Sequence, residues 1–498
     1  MKDGIDGKDS QDMNIIFVSP EVFPFARAGG LADVCHFLPR ALADRGHRLW
    51  LITPKYRHTD RTPYPVEDLG RDITIPLPPG EKTGRLYRSR LQPNLEVIFV
   101  GCDDLYNRDG LYGNEFGDYE DNAERYIFFS RAVLEVMRSL ELTPDLIHCH
   151  DWPSGLVPVF VKTMSPSSSA LADTATIFTF HNLGSQGIFW HYDFAMTGLD
   201  WSWFTPDRLE FHGQFSMTKG GLVAADLITT VSQRYAEEVL HPEYGFGLEG
   251  LLWARRQDIH AVLNGVDYSV WDPAVDPDIA ANYGPQDLSA KQRCRSHLHR
   301  LYGLAEGPEP IVAVVSRLLD RKGFDLISSG LDELLALPLK LVIMGRGEEK
   351  YHVFLSKAAQ RYQGRAGVRV EYDKALAHQI MAGADIFLMP SRYEPCGLEQ
   401  LYGLKYGAVP VVRATGGLDD TVVDVRRHPD RGTGYKFDDY STQAMIGTLS
   451  DAVDHFHQPD FWRSLMLRGM RQDFSWAKAA AEYERLYAQA REKVERDR

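Results

Sequence analysis

The sequence predicts an α/β protein built from two doubly wound domains, and three observations carry that prediction. Short apolar runs alternate with amphipathic stretches from Asn14 almost to the C-terminus. About a dozen such runs exceed what one open sheet comfortably holds. Polar residues suited to chemistry sit just beyond the ends of these runs, where open α/β sheets bind their ligands.

The first series of predicted strands is Ile15–Val18, Leu49–Ile52, Val97–Val100, Leu146–His148, Ile177–Phe180 and Leu227–Val231. Residues Tyr56 to Arg90 are rich in proline and charge, show weak periodicity, and read as an excursion from the core. The second series is Ala261–Leu263, Ile311–Val315, Leu341–Met344, Val368–Tyr372, Ile386–Met389 and Val409–Val412. Between them, Leu31, Val34, Leu38, Ala41 and Leu42 fall on one helical face, as do Phe324, Ile327, Leu331 and Leu334. Alternation on this scale implies parallel sheets covered on both faces. The expected limits are a disordered polar tail over 1–12, a first domain over 13–256, a second over 257–475, and a C-terminal helix over 476–498. The break falls near Trp253–Gln257, after the Gly-rich HPEYGFGLEG segment.

Composition narrows the functional class. A net charge of −14 disfavours nucleic acid and anionic membranes as main partners. No apolar run reaches the roughly 18 residues that span a bilayer, and MKDGIDGKDSQD is too polar for a signal peptide. Five scattered cysteines with no C-x-x-C pair argue against a disulfide framework or structural zinc and fit a reducing cytoplasm.

The chemistry concentrates between Pro390 and Val422, PSRYEPCGLEQLYGLKYGAVPVVRATGGLDDTV. A lone carboxylate, Glu394, stands after a predicted strand and just ahead of a Gly-initiated helix. The next strand leads into Thr415-Gly416-Gly417 and another helix. Helix N-termini built from small residues offer unpaired N–H groups to a phosphate. A carboxylate beside them suits sugar hydroxyls or a developing positive charge, so the pairing points to a sugar nucleotide. Arg317 and Lys322, in SRLLDRKG, put two cations on a strand–helix loop, where they can neutralise a departing diphosphate. Other strand-end residues are Glu21, Asp151, Trp152, His181, Asn182 and Asn264.

Arg27-Ala28-Gly29-Gly30-Leu31 opens a helix after the first strand, and its glycines would let a phosphate or sugar approach the backbone. Gly220-Gly221 lies within a helical region and reads as close helix packing. Gly345-Arg346-Gly347 imitates a dinucleotide fingerprint, but Lys350 stands at its third glycine, which disfavours NAD. Glu399 reads as facing solvent on its helix.

With these residues in view, the chain resembles the bacterial glycogen synthase and plant starch synthase family. The resemblance runs from Asn14 to about Leu486. It includes VSPEVFPFARAGGLADV, YGNEFGDYEDNAERYIFFSRAVLE, HCHDWPSGLVP, TFHNLGSQGIF, MTKGGLVAADLITTVS, NGVDYSVWDP, SRLLDRKG and PSRYEPCGLEQLYGLKYG. It implies a GT-B architecture: two Rossmann-like domains around a deep cleft, with the C-terminal helix returning to the first. It also implies retaining transfer of glucose from ADP-glucose to the non-reducing 4-hydroxyl of an α-1,4-glucan, with neither metal nor cofactor.

By the same resemblance Arg317 and Lys322 hold the diphosphate, Glu394 contacts the transferred glucose, and the Gly397–Leu398 amides orient it. His181 lies beside the glucose. Arg27, Gly29, Gly30, Asp33, Asn264, Tyr372, Thr415, Gly416 and Gly417 group with the donor, and Glu21, Asp151, Trp152 and Asn182 with the acceptor. Retention without a second catalytic carboxylate implies departure and attack on one face, whereas a glycosidase-type pair would imply a covalent intermediate.

The chain departs from the family at Arg27-Ala28, where Lys-Thr or Lys-Val is common, at Ser185, usually Tyr, and at Pro153, commonly His. Two alternatives follow: a related transferase using UDP-glucose or another acceptor, and a non-catalytic glucan-binding paralogue. A glucan phosphorylase is disfavoured, because no lysine context reads as a pyridoxal phosphate anchor.

Overall fold

The computed structural model describes residues 12–164 and 170–497. The expected tail over 1–12 therefore lies, Asp12 apart, outside the described residues. The chain divides into two units: Met1–Val231, Ala236–Gly265 and Trp476–Arg498 form the first, and Ser232–Tyr235 with Val266–Ser475 the second. Both are α/β with parallel strands at their centre, the class the sequence predicts.

The sheet of the first unit contains β1 (Asn14–Val18), β2 (Arg48–Pro54), β3 (Glu67–Leu77), β4 (Gly80–Gln92), β5 (Leu95–Gly101), β6 (Leu146–His150), β7 (Ala175–Thr179), β8 (Leu227–Thr230) and β9 (Ile259–Ala261). Their order is β9-β8-β7-β6-β1-β2-β5-β4-β3. From β9 to β5 every pairing is parallel, and β5-β4-β3 is antiparallel. The order reverses between β1 and β6, which makes their carboxyl ends the topological switch point.

The second sheet contains β10 (Ile311–Val315), β11 (Lys340–Met344), β12 (Ala366–Arg369), β13 (Ile386–Met389), β14 (Val409–Arg413) and β15 (Tyr435–Phe437), in the all-parallel order β12-β11-β10-β13-β14-β15. Its switch point lies between β10 and β13. Along β10, Val312 and Val314 join one buried cluster while Ile311, Ala313 and Val315 join another. Both faces are thus covered, which is why the strand is uniformly apolar.

Several boundaries differ from the sequence reading. The excursion at Tyr56–Arg90 contains β3 and β4, two long strands extending the first sheet at its edge. Charge masks them: β3 buries only Ile73, Ile75 and Leu77, so its alternation covers half its length. The run at Ala261–Leu263, assigned to the second series, is β9, and it closes the first sheet by pairing Ile259–Ala261 with Ile228–Thr230. The first unit accordingly continues to Gly265, past the expected break at 256. The run at Val368–Tyr372 is strand only to Arg369.

The helix Leu31–Ala43 buries Leu31, Val34, Leu38 and Leu42 against the first sheet. Gly330 divides the second helical face into Phe324–Ser329 and Leu331–Leu334, with all four apolar residues still buried. The terminal helix Trp476–Arg496 belongs to the first unit, where Trp476, Ala479, Ala480, Tyr483, Tyr487 and Ala490 share a cluster with the helix Leu31–Ala43.

Candidate active site

In the first unit the candidate residues gather after β1, β6, β7 and β9. Glu21, buried beyond β1, accepts three hydrogen bonds: one oxygen from the Ala28 and Gly29 amides at 2.7 and 2.8 Å, and the other from the Tyr112 hydroxyl at 2.8 Å. It therefore holds the Ala28–Gly29 turn, a structural role in addition to the acceptor contact expected from the sequence. The Gly29 N–H expected to meet a ligand is consumed by the same contact. No atom lies within 4 Å of a side chain built at Gly29 or Gly30, so the space above this loop is open. Packing gives no reason for glycine there, and close approach of a ligand does. Arg27 and Asp33 pair with each other at 2.8 Å, with Arg27 half exposed.

Asp151 adopts φ 55° and ψ 176°, a region that disfavours side chains and costs on the order of 1–3 kcal/mol. Its amide donates to the Thr179 carbonyl at 2.9 Å, and its carboxylate accepts from the His181 amide at 2.7 Å. The ends of β6 and β7 hold this strained turn in place, and strain of this kind clusters at functional sites. Burial, with Glu21 adding to it, pushes the Asp151 carboxyl up to about 7. Trp152 packs edge-on against Tyr126 at 4.7 Å. Asn182 accepts from the Gly184 amide at 3.0 Å. The His181 Nε2 lies 3.1 Å from the His150 Nδ1, and burial lowers the His181 imidazole to about 4. Asn264 follows β9 and so belongs to the first unit, not to the second as the sequence reading had it. Of the departing residues, Pro153 is buried and accepts from the Ser130 hydroxyl through its carbonyl, while Ser185 is exposed.

In the second unit, Arg317 and Lys322 follow β10 and Glu394 follows β13, the two strands at the switch point. The Lys322 Nζ and Glu394 Oε2 form an ion pair, both side chains nearly buried, and the Ser391 hydroxyl donates to the same oxygen at 3.1 Å. Partial burial and Arg321 lower the Arg317 guanidinium, while Glu394 and Glu399 act in the opposite direction. Glu399 is therefore not the solvent-facing residue its helix position suggested. It is half-buried, and its carboxylate turns back to accept from the Leu398 amide at 3.2 Å. Tyr372 is exposed in the loop after β12.

Gly416 and Gly417 do different work from the open helix terminus expected of them. A Cβ at Gly417 would lie 2.5 Å from the Cys396 carbonyl carbon, and one at Gly416, where φ is 44°, 2.9 Å from that of Glu394. The Gly417 amide donates to the Glu394 and Pro395 carbonyls at 3.1 Å. Gly416 and Gly417 thus let the turn before the helix Gly416–Thr421 press against the Glu394 segment, and the Gly417 amide is not left for a phosphate. Gly323 does the same for Lys322, with a Cβ 2.6 Å from the Pro390 ring. Gly345 and Gly347 pack against Ser316 and Leu318, and Gly220 and Gly221 against Leu209 and Phe178. Among the described residues, one group of side chains, Asp276, Asp278 and His378, has the proximity for a cation. Asp276 is already bonded to His378 Nδ1 and to the Tyr406 hydroxyl.

Comparison with known proteins gives the family. Residues 14–254 match the family model described as starch synthase catalytic domain, and residues 303–455 that of glycosyl transferases group 1. The glycogen synthase of Koribacter versatilis is 44% identical over 480 residues, covering 96% of this chain and 99% of that one. That of an Anaeromyxobacter species is 45% identical over 477 residues, covering 95% and 99%. The chain belongs to the glycogen and starch synthase family. It is a glycosyltransferase of that type. The solved catalytic domain of starch synthase IV from Arabidopsis thaliana, bound to ADP and acarbose, matches with a TM-score of 0.88 at 29% identity, over 97% of this chain and 100% of that one. Sucrose-phosphate synthase from Thermosynechococcus elongatus, 18% identical with a TM-score of 0.60 over 96% and 98% of the two chains, shares the fold.

Proposed function

We propose that this glycosyltransferase moves glucose from ADP-glucose to the non-reducing 4-hydroxyl of an α-1,4-glucan with retained configuration. The observation that carries the proposal is the Lys322–Glu394 pair beside Arg317 at the switch point of the second unit. A diphosphate needs the cations, and a transferred sugar needs the carboxylate. The Arabidopsis relative bound to ADP and acarbose supports an adenosine diphosphate leaving group and an oligosaccharide acceptor.

In this reading Arg317 and Lys322 take the diphosphate and stabilise it as charge grows on the leaving oxygen. Glu394, freed from Lys322 when the donor arrives, bonds the glucose hydroxyls, and the Gly397–Leu398 turn orients the ring. Arg27, Asp33, Tyr372, Asn264, Thr415 and the open loop at Gly29-Gly30 serve the donor. Asp151, Trp152 and Asn182 serve the glucan, and His181 the transferred glucose. The bond from C1 to the phosphate oxygen breaks, the acceptor 4-oxygen bonds C1 on the same face, and the acceptor proton passes to the leaving phosphate. The proposed setting is the cytoplasm, whose reducing chemistry suits the five free cysteines; among the described residues no helix is long and apolar enough to cross a membrane.

The test is nucleoside diphosphate release from ADP-glucose and from UDP-glucose, each with and without glycogen, while chain length is followed. Glycogen-dependent release from ADP-glucose with longer chains is expected. Preference for UDP-glucose would replace the donor assignment, and glycogen binding without release from either donor would overturn the transfer reading and point to the departures at Arg27, Pro153 and Ser185 as the cause.

A further inference from the structure

His181 is the one candidate residue whose ring contacts a second, fully buried imidazole. The His150 Nδ1 lies 3.1 Å from the His181 Nε2, and the rings stack with centroids 5.4 Å apart. His150 ends β6 and is packed between Phe17, at 5.2 Å, and His148, at 4.1 Å. His148 is itself pinned, its Nε2 2.6 Å from the Thr179 hydroxyl and its Nδ1 2.9 Å from the Tyr487 hydroxyl. The His150 Nε2 is buried and has no partner among the described residues.

Two neutral imidazoles share one hydrogen bond in only two ways. If His181 donates from Nε2, His150 must carry its own hydrogen on Nε2, as a buried N–H with no acceptor. If His150 donates from Nδ1, its Nε2 is left as a bare lone pair. An orphaned buried N–H is the rarer and costlier state, so the second arrangement is favoured. His181 then accepts at Nε2 and, while neutral, carries its only hydrogen on Nδ1. Burial supports neutrality, holding His181 near 4 and His150 well below the usual imidazole range. The His181 Nδ1 makes no hydrogen bond among the described residues and is not sealed from solvent.

We propose that His150 is a positioning residue that locks His181 in its Nδ1–H tautomer, so that His181 meets the transferred sugar as a hydrogen-bond donor. The tautomer follows from the first unit alone, and its use toward sugar rests on the transfer reading above. Phe17 and His148 fix the plane of the His150 ring, and the strained turn at Asp151 carries the chain directly from it.

The experiment is two-bond proton–nitrogen correlation on protein labelled with ¹⁵N-histidine, with His181 assigned by its loss in His181→Asn. In the wild type the His181 proton is expected on Nδ1. In His150→Leu it should move toward Nε2, with kcat for glucosyl transfer falling about 10-fold to 10²-fold and the donor KM moving less. His150→Asn returns an N–H near the old Nδ1, and should restore the Nδ1–H tautomer and much of kcat. A wild-type His181 protonated on Nε2 would overturn the proposal. So would a His150→Leu variant that keeps Nδ1–H, whatever its rate, because the effect would then be structural. If the wild type transfers no glucose yet shows Nδ1–H, the glucosyltransferase reading fails and the tautomer assignment is supported.

Discussion

Replacing Gly417 by alanine tests whether the packing of two backbone segments sets the position of Glu394. The added methyl would lie 2.5 Å from the Cys396 carbonyl carbon and 2.6 Å from its Cα, and still closer to the carbonyl oxygen. Non-bonded carbons rest about 3.5–4.0 Å apart, so the segments must separate by about 1 Å. The three nearest obstructing atoms are backbone, and no side-chain rotation relieves those contacts. The same movement stretches the Gly417 amide bonds to Glu394 and Pro395, now 3.1 Å. A displacement of about 1 Å at a reacting group costs on the order of 10²-fold in rate, or about 2.7 kcal/mol in the barrier. The assay is the initial rate of nucleoside diphosphate release with ADP-glucose and glycogen, alongside thermal melting. Gly29→Ala, where the added methyl meets nothing within 4 Å, should melt as the wild type does. A Gly417→Ala enzyme within about threefold of wild-type kcat would refute the reasoning, since so steep a positional dependence would then not hold here.

Lys322→Ala should lower turnover by about 10²-fold or more and also destabilise the fold by up to about 3–5 kcal/mol, because Glu394 is left as an unpaired, nearly buried charge; wild-type turnover would contradict the assigned role. Glu394→Gln should abolish transfer yet tighten ADP binding several-fold, since Lys322 no longer has a competing carboxylate; calorimetry showing weaker binding would count against that competition. Arg27→Lys should leave melting unchanged, because an exposed pair with Asp33 is worth about 0–1 kcal/mol. Its kcat then reports whether the site is built around the guanidinium or tolerates the family's lysine. The last prediction concerns pH. His181 is held near 4 in the folded protein, against about 6.5 when unfolded, so its contribution to stability is complete above pH 6.5 and lost as pH falls toward 4. That loss is up to about 3 kcal/mol. Asp151, held near 7, acts oppositely over about pH 4–7. Urea midpoints of wild type and His181→Asn at pH 7.5 and 4.5 isolate the histidine: the variant should lose less stability on acidification.

Much of the site was legible because an open parallel sheet ties chemistry to strand ends. Arg317 and Lys322 follow β10, Glu394 follows β13, and Asp151 and His181 follow β6 and β7, each behind an apolar run visible in the sequence. The less legible features were those in which a residue's partner lies far along the chain. That Glu21 also holds the Ala28–Gly29 turn and accepts from Tyr112 leaves no trace in its local sequence. Glu399 looked exposed because its helical position gave no hint that its carboxylate would turn back onto Leu398. The strands β3 and β4 were hidden by surface charge, and β9 was seen as a strand but given to the wrong sheet, because only its pairing with β8 shows which sheet it joins. His150 carried one usable signal, its place two residues after His148 at the end of an apolar strand.

Alone, the sequence determined the α/β class, the two-domain organisation and the family, because hydrophobic periodicity and ordered motifs are local properties of the chain. It also marked most strand-end residues. Tertiary structure decided what each one faces. Gly29-Gly30 and Gly416-Gly417 read alike in one dimension, yet one pair stands below open space and the other is pressed against the Glu394 backbone. That distinction depends on which remote segment fills the volume above a Cα atom, and close packing settles it only once the chain has folded.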